Sequence, residues 1–451
     1  MIFRLFEDTI CPERLIIDKR QFRHDLFSIA IPVTLQCLLQ SSFSIADQIM
    51  VGQLGSVSIA AIGFAGKFTG LCSTVINAVV TAASIMLSQY VGKKDKEGEY
   101  KAYRLSLISA LSVAAVFFVV SVLLPQFIMG LYSSDTTAIG VAASYLRIVS
   151  LTFIPMAVTL MASASLRCRD RAKLPMYATF FSVVLNTLLN YVFIFILNKG
   201  AEGAAWATVI SQLVAFIIVL LLGYKTLPRK VEGKNSNEYG KSFLKILLPI
   251  MVCEFMWSLG ENVYGGVYGH IGTASAAAMV LSYPIQNIMI GTLTGVSQAA
   301  GIMVGKMLGN KEYDNAVWAS KKLIVYGLLG SGIISILIIL SRPLYLSIYN
   351  VEESVKSIGS LILLVYAFVA PVKVSNMILA GGILRSGGRT DLTGAIDILG
   401  TWGFGVPLAL ISSSLLHLPI HLVYLILSME EVVRLIVGFI VFRKGKWMKS
   451  L

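Results

Sequence analysis

The amino-acid sequence predicts an all-α integral membrane protein of about twelve transmembrane helices, in two six-helix lobes related by pseudo-two-fold symmetry. Three observations carry that prediction. The 451 residues are 56% hydrophobic and 14% charged, against about 25% charged in an average soluble domain, and the mean hydropathy is +0.78. Apolar stretches of the roughly 20 residues needed to cross a bilayer recur from Leu26 to Val441, separated by short polar loops. The basic residues fall almost wholly in alternate loops. In lipid the backbone must satisfy its own hydrogen bonds, so the stretches are read as helices. The ten-residue alternation of a membrane β-barrel is absent from the sequence.

In order, the first six spans are expected near 25–51, 58–91, 105–132, 137–164, 174–197 and 201–224. The second six fall near 243–269, 275–305, 318–347, 355–384, 391–414 and 418–441. With the N-terminus placed in the cytoplasm, 30 of the 37 Lys and Arg lie in cytoplasmic segments: 1–25, 93–104, 167–173, 225–245, 306–322, 385–389 and 443–451. Only Lys199, Arg342 and Lys356 lie in the opposite loops, while Lys67, Arg147, Lys373 and Arg434 fall inside spans. This is the positive-inside pattern for an even number of spans, with both termini cytoplasmic. The net charge of +13 is therefore read as topological, not as a nucleic-acid surface. The expected location is the cell membrane, with the bilayer as the surrounding partner.

Residues 1–24 form an N-terminal cytoplasmic segment rich in charge, from Arg4 and Glu7 to Lys19 and Arg20. With no sustained apolar core it does not read as a signal peptide, and the first span is expected to serve for targeting. The first lobe is expected over 25–224, a charged linker over 225–245, the second lobe over 246–442 and a basic cytoplasmic tail over 443–451. Cys11, Cys37, Cys72, Cys168 and Cys253 show no CxxC spacing and suggest neither a disulfide framework nor a metal site. The lobes resemble each other. Gly52-Gln-Leu-Gly55 with Ala60-Ala61 matches Gly269-His-Ile-Gly272 with Ala277-Ala278, and Leu166-Arg167 with Arg171 matches Leu384-Arg385 with Arg389. The offsets, 217 and 218, agree. Six spans per repeat gives parallel repeats about an axis along the membrane normal, an architecture suited to a cavity between them and alternating access.

On the first span Gln36, Gln40, Ser44 and Asp47 share one helix face. A carboxylate in hydrocarbon costs a few kcal/mol even on the gentler scales and should face a cavity or a partner. Removal from water favours the neutral form of a carboxylic acid, which is what a proton carrier needs; the alternative is an interfacial Asp that fixes packing. Asn186 and Asn190 stand one turn apart on the fifth span, with Thr208 on the sixth. Such oxygens joined to a carboxylate suit a hard cation such as Na⁺, or serve as interhelical glue. The seventh span carries Glu254, Trp257, Ser258, Glu261, Tyr264 and Tyr268 toward one side. Aromatics beside acids suit an organic cation, though aromatics in a helix also simply pack. Gln286 on the eighth span and Asp397 on the eleventh complete the substrate-cavity candidates, and Lys373 on the tenth is a rare intramembrane base that could pair with Asp397.

The sequence contains no GxxxxGK[ST], HExxH or GxSxG motif, and His24, His270, His417 and His421 form no ligand cluster. It does not read as an enzyme, and no cofactor is expected. Energy is expected from a gradient: one charge moved through 100 mV supplies about 2.3 kcal/mol, a roughly 50-fold concentration ratio.

Four segments taken together, ADQIMVGQLG, SQYVGKKDKEGEYKA, SLRCRDRAKLPMYATFFSVVLNTLLNYVFIF and LRSGGRTDLTGAIDILGTWGFGVPLAL, resemble the multidrug and toxic compound extrusion (MATE) family, over about residues 25–440. The resemblance implies twelve helices in two lobes and export of cationic or amphipathic organic compounds against H⁺ or Na⁺. It also implies that Asp47 is the ion-coupling acid of the first lobe, with Asn186 and Thr208 in the same site. Two departures stand out. Asn190 occupies a position that is Asp in one proton-coupled branch, and Lys373 aligns with an Asp of a Na⁺-coupled branch. A lone carboxylate among neutral neighbours favours H⁺, with Na⁺ at Asp47, Asn186, Asn190 and Thr208 close behind. The rivals are a lipid-linked oligosaccharide flippase of the wider superfamily and, from another class, a channel or receptor. A flippase usually has fourteen spans and a strongly cationic cavity, and no filter-like segment for a channel is present. Glycine and alanine spacing serves packing within or between chains alike, so it carries no oligomeric state.

Overall fold

The structure, a computed structural model, describes residues 18–54, 56–133, 135–230, 238–349 and 351–450. Helices account for every regular element among them. In chain order the long helical runs are α1 (Lys19–Val51), α2 (Ser56–Lys93), α3 (Lys96–Leu123), α4 (Thr136–Cys168), α5 (Lys173–Ile196) and α6 (Gly200–Gly223). They continue as α7 (Glu238–Ile271), α8 (Thr273–Gly309), α9 (Tyr313–Ser347), α10 (Glu353–Leu384), α11 (Thr390–Leu415) and α12 (residues 420–443). Ten are long and apolar enough to cross a membrane; α1 and α12 fill the remaining two places in the expected order.

Local chemistry sets the ends. Asp95 caps α3 by accepting from the Gly98 amide at 2.9 Å, and Asp135 caps α4 by accepting from the Thr137 amide at 2.9 Å. The Thr137 hydroxyl, then the Thr137 and Ala138 amides, all donate to Asp135 outside the membrane and hold its carboxyl below the ordinary range. The expected third span, 105–132, is in fact broken. α3 stops at Leu123, and Pro125 opens a separate short helix, Pro125–Gly130, where its missing N–H is harmless. α12 is likewise interrupted at Ser428.

Helix C-termini close on left-handed residues, and these repeat. Lys94 and Lys311, Asp170 and Gly388, and Asn198 and His417 all have positive φ. The members of each pair lie 217, 218 and 219 residues apart. The backbone therefore carries the same internal repeat that two short sequence matches suggest.

The chain divides into two compact units, Ile31–Leu244 and Lys245–Leu451, the latter joined by the N-terminal stretch up to Ala30. The expected boundary at residue 25 thus differs from the observed one. α1 begins at Lys19, and its first turns pack with the second unit, where Phe22 meets Trp318 edge-on with ring centroids 5.0 Å apart. In the first unit α2 packs against α3 and α4, and α4 and α5 both pack against α6. In the second, α8, α9 and α10 pack mutually, and α12 packs against α10 and α11. The linker is part helix. α7 starts at Glu238, and the Tyr239 ring packs on Tyr90 at 5.9 Å with Lys101 over its face; residues 231–237 lie outside the described set, as does Cys11. The expected basic tail is anchored: Trp447 is fully buried, stacks on Phe442 and donates to its carbonyl at 3.1 Å.

Candidate ion-coupling and substrate site

Three helices of the first unit bring one acid and its neutral partners together. α1 delivers Asp47, α5 delivers Asn186 and Asn190 one turn apart, and α6 delivers Thr208 and Ser211. Asn190 is fully buried, and its amide N–H groups reach both Asp47 Oδ1 at 2.6 Å and Asn186 Oδ1 at 2.8 Å. Asn186 in turn donates to the Ser211 hydroxyl at 2.9 Å, and Ser211 donates to the Thr208 carbonyl at 3.0 Å. Thr208 joins less directly than expected: its hydroxyl donates to the Ala204 carbonyl on its own helix. Tyr145 of α4, unnoticed in the sequence, is buried near Asp47 with Thr208 as a hydrogen-bonding neighbour. Nothing in its sequence context singles it out.

The chain of donors ends on the Thr208 carbonyl and leaves one acceptor open at its start. Asn190 Oδ1 is buried and has no hydrogen-bond partner, a costly state for a polar atom. A proton on Asp47 or a hard cation beside it would supply what that oxygen lacks. The helix α5 turns to a π-helical pitch from Tyr191 to Ile196, directly after Asn190, and such stretches frequently mark functional sites. Among the described residues no group of three or more His, Cys, Asp and Glu side chains gathers as a metal site. A cation here would be held by one carboxylate and neutral oxygens.

The same helices wall a cavity of about 330 Å³. Gln36 and Gln40 of α1, Asn77 of α2, Thr159 of α4, Thr179, Ser182 and Asn186 of α5, and Thr208, Ser211 and Gln212 of α6 line it. These are hydroxyls and amides without formal charge. Gln36 donates to Thr179 at 3.0 Å, and Ser182 donates to the Ser211 carbonyl at 2.9 Å. Asn186 and Thr208 therefore face the cavity and also belong to the Asp47 group. The side chain of Ser44 lies outside the described set.

The second unit sorts its expected residues differently. The α7 stripe divides: Tyr264 and Tyr268 are buried, whereas Trp257 and Glu261 are exposed. Asp397 does not pair with Lys373. Its partner is Arg385, at 3.3 Å, and Arg385 also stands 3.5 Å from Glu254. Arg385 thus leaves the loop count and enters the helix bundle at the end of α10. Gln286 is buried and occupied, donating to Ser282 and accepting from Tyr424, so it belongs to the packing of its unit. Tyr264 donates to Glu430 at 2.7 Å. Glu430 and Glu431 pair with Arg434 at 3.4 and 3.7 Å, and Glu431 also accepts from Asn376 at 2.8 Å. Sequence reasoning missed these two glutamates, although the spacing of Glu430, Glu431 and Arg434 on one helix was a legible signal.

Comparison with known proteins supplies the rest. The MatE family pattern matches residues 32–192 and again 249–411. The uncharacterized transporter YisQ of Bacillus subtilis is 25% identical over 94% of this chain and 95% of its own. The probable multidrug resistance protein NorM of Thermotoga maritima is 22% identical, over 100% of this chain and 97% of its own. The crystal structure of a Vibrio cholerae MATE transporter, VcmN, superposes with a TM-score of 0.88 at 19% identity, over 94% of this chain and 97% of that one, a likeness of fold. The two stretches of family pattern start 217 residues apart, the offset of the repeats, and together take in most of both units. The chain belongs to the MatE family: it is a multi-pass membrane transporter of the MATE type, not an enzyme.

Proposed function

We propose that this transporter exports small organic compounds, cationic or amphipathic, across the cell membrane in exchange for H⁺ or Na⁺, with both termini in the cytoplasm. Asp47 is the coupling acid, and Asn186, Asn190 and Thr208 are its partners. The observation that carries this reading is the hydrogen-bonded line from Asp47 through Asn190 and Asn186 to Ser211, beside which Asn190 Oδ1 is left open. Ion entry changes the charge of Asp47 and the donors that Asn190 and Asn186 offer. Because Asn186 and Thr208 also line the cavity, a substrate there competes for the same side chains. That is how exchange arises: ion and substrate occupy alternately, and each is coupled to the other by their shared wall.

The choice between H⁺ and Na⁺ leans to H⁺, because a lone carboxylate with neutral neighbours gains neutrality by taking one proton. Na⁺ would draw on the carboxylate, Asn190 Oδ1 and backbone oxygens, a hard-oxygen set.

The test is ethidium efflux from proteoliposomes under separately imposed H⁺ and Na⁺ gradients, with Asp47→Asn alongside. The expected outcome is dye movement driven by one gradient and lost in the variant. Dye movement equal in Asp47→Asn and wild type would move the coupling site to Glu254, Glu261 or Asp397. No dye movement with either gradient would overturn drug export and turn attention to lipid-linked oligosaccharides.

A further inference from the structure

We propose that Arg385 sets the charge number of the cation that the second unit accepts, selecting singly over doubly charged organic cations. The inference rests on the export reading above and adds to it a specificity-determining residue.

Two carboxylates and one guanidinium meet where α7, α10 and α11 pack. Arg385 stands 3.5 Å from Glu254 and 3.3 Å from Asp397. The Cys253 thiol donates to Asp397 at 3.3 Å. Both Arg385 contacts are longer than the 2.7–2.9 Å of a strong charge-assisted bond, and its Nε is buried without an acceptor. The guanidinium is thus shared between two acids and clamped by neither. It cancels one negative charge and leaves one.

Exposure gives the site a direction. The Glu254 side chain is 32% exposed and that of Asp397 20%, while Arg385 is 15% exposed. Glu254 is thus the most accessible of the three groups, and Arg385 the least. Glu261, on the same helix as Glu254, adds a further negative charge beside Tyr264, unchanged in every variant below. Arg434, which feels Asp397, is matched by Glu430 and Glu431, and Lys373 brings that group to two positive and two negative charges.

The internal repeat isolates the feature. With offsets of 217 and 218, the places of Glu254 and Asp397 are held in the first half by Cys37 and Thr179, while Arg167 keeps the place of Arg385. The first half has the arginine without the acids, so the pair of carboxylates belongs to the second half alone.

Specificity is a difference between affinities, and an added or removed unit charge is its simplest lever. The probes are ethidium, with one positive charge, and propidium, with two on the same ring system. Binding to the full-length purified protein is read by dye fluorescence. Arg385→Gln raises the net charge to two negatives and is expected to move the affinity ratio toward propidium by about ten-fold or more, the effect of one charge at a partly exposed site. Arg385→Lys keeps the wild-type ratio. Arg385→Gln with Glu254→Gln restores one net charge and is expected to restore the ratio. If Arg385→Gln does not fold, Glu254→Gln alone carries the test, with ethidium binding expected to weaken about ten-fold and propidium binding to weaken more, so that the ratio moves toward ethidium. An unchanged ratio in folded Arg385→Gln, or unchanged binding in Glu254→Gln, overturns the proposal while leaving export intact. A wild type that binds neither dye overturns the export reading itself.

Discussion

Replacing Arg434 with Met removes the centre of the buried charge group of the second unit. The side chains of Arg434, Glu430 and Glu431 are 9%, 8% and 8% exposed. Arg434 spans both acids and donates to the Thr401 hydroxyl at 2.5 Å. After substitution Glu430 keeps the Tyr264 hydroxyl and Glu431 keeps Asn376, but neither carboxylate keeps a positive charge in contact. Breaking a buried pair by removing one partner costs about 3–5 kcal/mol, or roughly two to four orders of magnitude in the folding equilibrium. The assay is unfolding in mixed micelles of rising SDS content, followed by tryptophan fluorescence. Because the cost lies in the stranded carboxylates, Arg434→Met combined with Glu430→Gln and Glu431→Gln is expected to recover most of it. Arg434→Met as stable as wild type to within about 0.5 kcal/mol would refute the reasoning. So would a triple variant no better than the single one.

Gly400→Ala should disturb the same group from the other side, because a Cβ at Gly400 would meet the Arg434 side chain; a loss of about 1–3 kcal/mol in the same unfolding assay is expected, as for overpacking. Asn190→Leu removes the amide that donates to Asp47 Oδ1, and gradient-driven dye efflux is expected to fall at least ten-fold, since a half-buried carboxylate loses its donor. At the first turn of α4 the Asp135 carboxyl titrates below the ordinary range. The cap is therefore fully present above the unfolded-state value, near 4, and lost as pH falls through the lower folded value. Amide-exchange protection at Thr137 and Ala138 should follow that sign, and protection that rises on acidification would contradict it.

The class, the number of spans and the repeat were legible because each is a one-dimensional signal: apolar length, the side on which basic residues fall, and a fixed offset. The break between α3 and its successor was written in Pro125 yet hidden by an apolar run that continues through it. Asp47 could be singled out for its cost in lipid, and Asn190 for its amide, but their meeting spans 143 residues of sequence. Only the fold closes that distance. The π-helical pitch after Asn190, after Asn376 and after Ile398 has no clear composition signal. Arg385 shows the limit most clearly. Counted among cytoplasmic charges by its place beside a loop, it turns inward, because hydropathy records where a residue falls along the chain and not where its side chain points.

The repeat also exposes a division of labour. Asp47 has as its repeat mate Tyr264, 217 residues on, and that tyrosine donates to Glu430. Where the first half places an acid with an open neighbouring acceptor, the second places a phenol whose partner is already fixed. The acids of the second half are each provided with a cation of the chain itself: Glu430 and Glu431 with Arg434, Glu254 and Asp397 with a share of Arg385. Glu430 and Glu431, buried with an arginine of their own, have little to gain from an ion out of solution, whereas Glu254 and Asp397 share one guanidinium and keep one negative charge between them. An acid that has only amides and hydroxyls around it gains a great deal. On the proposals above, ion exchange falls to the half with Asp47 and charge recognition to the half with Arg385. At matching places of the repeat, one half holds an acid where the other holds a neutral residue: Asp47 against Tyr264, Glu254 against Cys37 and Asp397 against Thr179.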